Sequence, residues 1–308
     1  MTTGLFRHSS SVLHDMGAGH PECPERIAAI EGELEQRGYL AVLAACNAPA
    51  ATGEQLARVH TAAYIDRVNR MAPAHGVVAL DPDTVMNRHS LTAALHAAGA
   101  VVAATDAVIN GEMDNAFCPV RPPGHHATRE TSMGFCIFNN VAVGIAHALE
   151  QHGLQRVAVL DFDVHHGNGT EDIFRDDARV LMCSTYQYPW FPHQNNRSIP
   201  GHLVNCPLPS GTGSDGFRAA VNDHWLPALA AFRPEMIFIS AGFDAHRDDP
   251  LAGLALIDED YRWVTERIMA CAATSAGGRI VSTLEGGYAL PALARSAAEH
   301  VGALASLQ

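Results

Sequence analysis

Three metal-ligating side chains, Asp161, Asp163 and His165, stand at alternate positions directly after the apolar run Val157-Ala158-Val159-Leu160. An apolar β-branched run reads as a buried strand, and successive strand side chains point to opposite faces. If the extended backbone continues through the acids, all three groups share one side. Two carboxylates and an imidazole suit a divalent cation of the zinc type. His166-Gly167-Asn168-Gly169 then turns the chain away. A second strand-like run, Met236 to Ser240, leads through Gly242 to Asp244, which places another acid on the same sheet edge. Asp163, His165 and Asp244 are therefore expected to hold a catalytic zinc with a position left open for water. Asp161 is expected behind them, where a carboxylate would orient an imidazole.

Two further segments supply groups that move protons. Ala116 to Val120 reads as a strand entering Arg121-Pro122-Pro123-Gly124-His125-His126, a stiff loop carrying paired imidazoles. Arg279 to Leu284 reads as a strand ending in Glu285-Gly286-Gly287-Tyr288, which brings a phenol to the same edge. One histidine can take a proton from the attacking water and return it to a leaving amine, while Tyr288 donates to a developing oxyanion. Amide hydrolysis uses every part.

The elements that must carry these groups alternate strand and helix. That pattern predicts one α/β domain over residues 1–308, with a mainly parallel central sheet and helices on both faces. Such sheets bind ligands beyond the carboxyl ends of their strands, where the four segments fall. Pro24 opens a helix with Ile27, Ile30 and Leu34 inward, and residues 55–68 form a helix or helix pair. Ser90 is expected to cap a helix running to about Asn110, and Asp258 to cap another. A helix from Val141 to Gln151 follows the loop Met133–Asn140, and Pro227 is expected to bend or split a helix. Residues 201–216 read as surface loop. Tyr188 to His193 sets aromatics between prolines, as at a pocket mouth, and Leu80 to Thr84 forms an acidic turn for a cleft rim.

The chain has 308 residues, 47% of them hydrophobic, with no repeat and no domain-scale linker. A formal charge of −13 argues against a nucleic-acid surface. The seven cysteines are scattered without C-x-x-C pairs, which fits free thiols in a reducing compartment. No uninterrupted membrane span or signal-peptide run is read, so a cytoplasmic location without membrane association is expected.

The residues resemble the zinc-dependent histone deacetylase family within the arginase/deacetylase fold, from Gly19-His20-Pro21-Glu22 to Gly286-Gly287-Tyr288. The resemblance implies zinc on Asp163, His165 and Asp244, His126 as the main general base and acid, and His125 leaning on Asp161. It implies an acyl-lysine tunnel walled by Gly134, Phe135, Phe191, Leu251, Pro122 and Gly286. It further implies a structural potassium ion on backbone oxygens of Asp161, Asp163 and His165, with Ser184 and Thr185. Asn168 stands where class I members carry aspartate, so the chain is similar to class II, and His126 would have no carboxylate partner there. The gatekeeper position is Leu251, whereas members selective for acetylpolyamines carry glutamate, so acyl-lysine is the expected substrate and a small acylated amine the alternative. Rim acids for an amine could come from Glu22, Asp81 or Asp83, and either Asp81 or Asp83 matches the aspartate that holds the substrate backbone. A binuclear manganese hydrolase is the rival chemistry of the same fold, and a homo-oligomer is compatible with all of this.

Overall fold

The computed structural model describes residues 1–194 and 197–307. Its centre is an eight-stranded sheet in which every neighbouring pair is parallel. The sheet contains β1 (Thr3–Arg7), β2 (Ala44–Asn47), β5 (Asn115–Cys118), β6 (Val157–Asp161), β7 (Val180–Gln187), β8 (Leu203–Leu208), β9 (Met236–Ala241) and β10 (Ile280–Leu284). Its order is β2-β1-β5-β10-β9-β6-β7-β8. A separate antiparallel hairpin joins β3 (Val77–Ala79) to β4 (Val85–Asn87).

The order explains where a site can form. After β5 the chain passes over two positions, builds β6 to β8, and returns to fill the gap with β9 and β10. Loops leaving β5, β10, β9 and β6 therefore emerge side by side at one edge, the place where open parallel sheets bind ligands. Register locks them: Asp161 lies opposite Ser240, and Thr283 lies opposite both Ser240 and Cys118.

Each central strand is apolar on both sides because both faces are covered. Val157 and Val159 of β6 join Phe238 of β9 and Val281 of β10 in one core. That core is roofed by α4 (Ser90–Ile109) and α5 (Asn140–Glu150). Ala158 and Leu160 face the other way with Ile237 and Ile239, under α1 (Glu25–Gln36), α9 (Asp258–Ser275) and α10 (Leu290–Leu304). The short helices α2 (Gly53–Ala57), α3 (Ala62–Met71), α6 (Asn168–Phe174), α7 (Ser214–Ala220) and α8 (Leu226–Phe232) complete the layers.

Several local expectations are corrected. Residues 201–216 contain β8, the edge strand beside β7, whose Leu203 also bridges Ile199; an edge tolerates Pro207 and polar Asn205, which disguised it as loop. Ser90 is the first residue of α4 and not its cap: its hydroxyl accepts from the Asn87 N–H at 2.8 Å and meets His14 Nδ1 at 2.7 Å. Asp258 instead accepts from Arg295 and Ser296 of α10, while Asp260 Oδ2 accepts from the Ile257 N–H. The loop Met133–Asn140 ends as expected, with Asn139 capping α5. Pro227 stands in the first turn of α8, after a π-helical turn over Val221–Trp225. By length and composition α4 is apolar enough to cross a membrane, but 67% of it is buried inside the fold, as suits a core helix built from alanine and valine.

Helix α4 also sets a close approach. A Cβ on Gly99 would lie 2.0 Å from the Pro49 carbonyl oxygen and 2.7 Å from the Ala51 nitrogen, both backbone atoms that cannot rotate away. Gly99→Ala is therefore expected to destabilise the protein by at least about 1–3 kcal/mol despite alanine's better helix propensity. Urea denaturation of the two proteins checks this, and a more stable variant would contradict the packing.

Candidate active site

Strand geometry ends at Asp161, so the alternate-face premise does not extend to His165. Convergence is produced by a bent backbone: Asp161 Oδ1 accepts from the Asp163 N–H at 3.1 Å, and Asp163 Oδ1 from the His165 N–H at 2.8 Å. His165 Nδ1 then lies 3.1 Å from Asp163 Oδ1 and 3.1 Å from Asp244 Oδ2. The donor atoms of all three residues fall within 4.8 Å of one another. Asp163 Oδ2 also accepts from the Gly286 N–H, and Asp244 Oδ1 from the Val164 N–H. The carboxylates fit against bare backbone: a Cβ on Gly242 would come within 2.0 Å of Asp163 Oδ2, and one on Gly286 within 2.0 Å of Asp244 Oδ2.

Charge in this cluster is out of balance. Burial and the neighbouring Asp163 charge raise Asp244 to about 7. Burial opposes the charged form of His165, but hydrogen bonds to Asp163 and Asp244 overcome it and raise the ring to about 10. The cluster thus holds protons that a divalent cation would displace, and its two oxygens and one nitrogen are a zinc-type donor set. The residues fit the ion.

Beside it, His125 Nδ1 pairs with Asp161 Oδ2 at 3.0 Å, and His126 Nδ1 with Asn168 Oδ1 at 2.7 Å. The rings sit 4.0 Å apart. Burial disfavours charge on both, but Asp163, Asp161 and Glu285 overcome it at His125 and raise it well above the ordinary range. His126, buried and facing the charges of His125 and His165, is lowered well below it. A pair pushed apart in this way has one charged and one neutral member, the neutral one able to accept a proton.

The loops bearing the pair and Tyr288 share an anchor that the sequence reading did not find. Glu22 is fully buried and bonded to Arg26 and Arg121, with His14 Nε2 3.4 Å away, so it is not a rim acid. Arg121 begins the loop to His125, while Arg26 donates to the Gly287 carbonyl at 2.7 Å and lies 5.1 Å over the Tyr288 ring. Glu285, also missed, accepts from the Gly124 and His125 N–H groups at 2.7 and 3.1 Å and from Ser240. The signal was an acid beside the Gly-Gly-Tyr turn; its partner lay 160 residues away. Burial and the Asp244 charge push the Tyr288 phenol well above its usual range, so it stays a donor.

Of these groups His126, His165 and Tyr288 line a cavity of about 330 Å³, together with Asp83, Gly134, Phe135, Trp190, Phe191, His193 and Leu251. Asp83, and not Asp81, is the acid on this wall; Asp81 turns inward to accept from the Asp83 and Thr84 N–H groups. Asp83 Oδ1 accepts from the Gly134 N–H at 3.0 Å, and Thr84 from Phe135, which is held at a φ of 69°. Pro122 and Gly286 are absent from the lining. Pro122 is buried with its carbonyl bonded to Asn140, and Gly286 packs against Asp163. Ser184 and Thr185 are buried on β7, Ser184 opposite Asp161 and with its hydroxyl 3.5 Å from His166 Nδ1.

The histone deacetylase domain family matches residues 20–304. The chain belongs to the histone deacetylase family. It is 42% identical over 280 residues to the histone deacetylase-like amidohydrolase of Pseudomonas aeruginosa, covering 88% of this chain and 73% of that protein. It is 36% identical over 323 residues to the polyamine deacetylase HDAC10 of Mus musculus, covering 96% of this chain and 47% of that one. Among solved structures, the HDA15 HD domain superposes with a TM-score of 0.92 at 33% identity, over 99% of this chain and 90% of that one. The fold is that of histone deacetylases, a single domain around a parallel sheet.

A second His/Asp cluster lies outside this deacetylase-family site. His147 Nε2 and His152 Nε2 both meet Asp106 Oδ1, at 2.7 and 2.6 Å. Arg58 donates to His147 Nδ1 at 2.9 Å, which leaves the proton on Nε2 facing the acid. The cluster is thereby read as hydrogen bonded.

The Glu22 anchor yields a test. Burial raises this carboxyl's pKa, but Arg121 and His14 outweigh it and hold the acid well below the ordinary range. The folded-state value is depressed, so its stabilisation is present above the unfolded pKa and is lost as pH falls through the folded one. Glu22→Gln, leaving two buried guanidiniums short of a counter-charge, is expected to cost about 3–5 kcal/mol at pH 7. The loss relative to wild type should shrink in acid. Denaturation at pH 7 and pH 3 measures both, and a pH-independent difference would contradict the account.

Proposed function

We propose that the protein is a zinc-dependent amidohydrolase that removes acetyl or other acyl groups from lysine side chains. The observation that carries this reading is the convergence of Asp163, His165 and Asp244 beside a neutral His126 and a protonated Tyr288 at the base of one apolar cavity. Asp163, His165 and Asp244 would hold Zn2+, which when bound supplies Lewis-acid charge for the acyl oxygen and the attacking water.

The chain's own groups do the rest. His126, its Nδ1 occupied by Asn168, presents Nε2 to the cavity and takes the proton as the water oxygen attacks the acyl carbon. Tyr288 donates its hydroxyl to the oxygen that gains charge, a contact worth most in the transition state. The C–N bond then breaks, and the proton on His126 passes to the departing amine. His125, fixed by Asp161, is the charged neighbour that keeps His126 a neutral base. Phe135 and Phe191 flank an extended apolar stem, and Asp83 offers a carboxylate to the substrate's N–H groups at the rim. A structural potassium ion on backbone oxygens of Asp161, Asp163 and His165, beside Ser184 and Thr185, belongs to this reading on family resemblance alone.

Acyl-lysine is preferred over acetylpolyamine because the lining is chiefly Phe135, Trp190, Phe191 and Leu251, and Asp83 is the single acid among the described lining residues. At the gatekeeper position Leu251 offers a polyamine's distal ammonium no carboxylate. The test is kcat/KM for acetyl-lysine peptides, longer acyl-lysine peptides and acetylated polyamines on one zinc-loaded preparation. Faster turnover of the polyamine would shift the substrate to the mouse relative's class. Two tightly bound manganese ions per chain would overturn the zinc reading.

The base assignment has its own check. Asn168→Asp places an anion against His126 Nδ1 and should raise that ring's pKa by about 1–3 units. A raised pKa keeps the ring protonated to higher pH, so the acid limb of the kcat/KM profile should move to the alkaline side. An unmoved limb would remove His126 from the role of titrating base.

A further inference from the structure

The carboxylate of Asp249 touches both sides of the cavity without entering it. It is 7% exposed. Oδ2 accepts from the Tyr288 N–H at 2.7 Å and from the Ala289 N–H at 3.3 Å, while Oδ1 accepts from the Leu251 N–H at 3.0 Å. The turn that carries it is held in place by the Asp249 N–H donating to the His246 carbonyl at 2.9 Å.

We propose that Asp249 is a positioning residue that sets the Tyr288 hydroxyl for oxyanion donation and couples it to the Leu251 wall of the cavity. This rests on the reading above in which Tyr288 donates to the acyl oxygen.

Strand β10 stops at Leu284 and α10 starts at Leu290; the Glu285 N–H still donates to the Ala241 carbonyl and the Gly286 carbonyl accepts from the Phe243 N–H, both at 2.9 Å, so backbone pairing to β9 and its loop ends at Gly286, two residues before Tyr288. Gly286 and Gly287 bring no side chains to pack. The Gly286 N–H is committed to Asp163, and the Gly287 carbonyl to Arg26. Between that point and α10, the Tyr288 and Ala289 N–H groups are both taken by Asp249 Oδ2. The ring itself is touched by Arg26 at 5.1 Å and by the edge of Phe135 at 5.9 Å, contacts that steady its plane but leave its height in the cavity to the backbone. A phenol turns a small backbone shift into a displaced hydroxyl, and displacement of a catalytic donor by about 1 Å can cost on the order of a hundredfold in rate.

One carboxylate also spans two loops. Its second oxygen fixes Leu251, another lining residue, and the Leu251 carbonyl in turn accepts from Trp190 Nε1 at 2.9 Å. Donor and wall therefore share a mount. A bare helix cap is the competing role, since Ala289 gives α10 no side-chain cap. The two roles differ in what they predict: a cap affects melting alone, a positioning group affects the chemical step through Tyr288.

The test is a double-mutant cycle of Asp249→Asn and Tyr288→Phe in the full zinc-loaded chain, reading kcat, KM, zinc content and melting temperature. Tyr288→Phe alone should lower kcat by about a hundredfold. Asp249→Asn keeps the side-chain shape, and should lower kcat by about tenfold with KM changed by less than about threefold and zinc retained. On the Tyr288→Phe background it should cost less than about twofold. Additive losses, or a lowered melting temperature with unchanged kcat, would overturn the proposal and leave a helix cap. Should Asp249→Asn not fold, Asp249→Glu takes its place in the same cycle with the same criteria. If Tyr288→Phe turns over normally with zinc bound, the donor role of Tyr288 fails first and visibly, and the proposal with it.

Discussion

Five carboxylates, Glu22, Asp161, Asp163, Asp244 and Glu285, are almost wholly excluded from solvent within a few residues of one sheet edge. Burying so much negative charge is costly unless each acid is hydrogen bonded or paired. The solution is divided. Glu22 faces two arginines, Asp161 faces His125, Glu285 accepts two backbone N–H groups and a serine hydroxyl, and Asp163 accepts two N–H groups. Asp244 keeps a raised pKa after all of these contacts. Asp161 and Glu285 are raised as well, Glu285 to about 7, so the residual demand for positive charge extends along this sheet edge and includes the Asp163, His165 and Asp244 trio.

The way the acids are satisfied also aligns the loops of the candidate site. Nearly every acceptor takes its donor from another loop: Glu285 from the β5 loop, Asp163 from the β10 loop, Asp244 from the β6 loop, and Arg26 and Arg121 join the two loops through Glu22. Charge compensation and positioning are one set of bonds. A substitution at an acid should therefore disturb geometry several residues from its own atoms, and the stiffness of the His125–His126 loop owes as much to Glu285 as to its prolines.

Much of this was legible in the chain. Apolar runs of four to six residues ending in acids, His-His or Gly-Gly-Tyr marked β5, β6, β9 and β10, because strands buried on both faces read as short continuous apolar runs, too short for a core helix. Residue type also singled out Asp163, His165 and Asp244, whose donor atoms the fold brings within 4.8 Å of one another. Less legible were β8, whose Pro207 and Asn205 are tolerated because it lies at the edge of the sheet, and the caps, where Ser90 and Asp258 turned to partners distant in sequence. Local rules rank which residues can cap a helix; they do not know what else stands within reach.

By itself the sequence determined the inventory: which strands end in reactive groups, that the sheet is parallel, and that the groups suit amide hydrolysis through a zinc-type site. Only the tertiary structure decided the assignments. It placed Asp83 on the wall in preference to Asp81, buried Glu22 beneath two arginines, withdrew Pro122 and Gly286 from the lining, and set Asp249 between Leu251 and Tyr288. The reason is physical. Residue type and short-range spacing specify a side chain's chemistry, but its charge state and orientation depend on neighbours as far as 36 to 261 positions away, and those are set by strand order and packing.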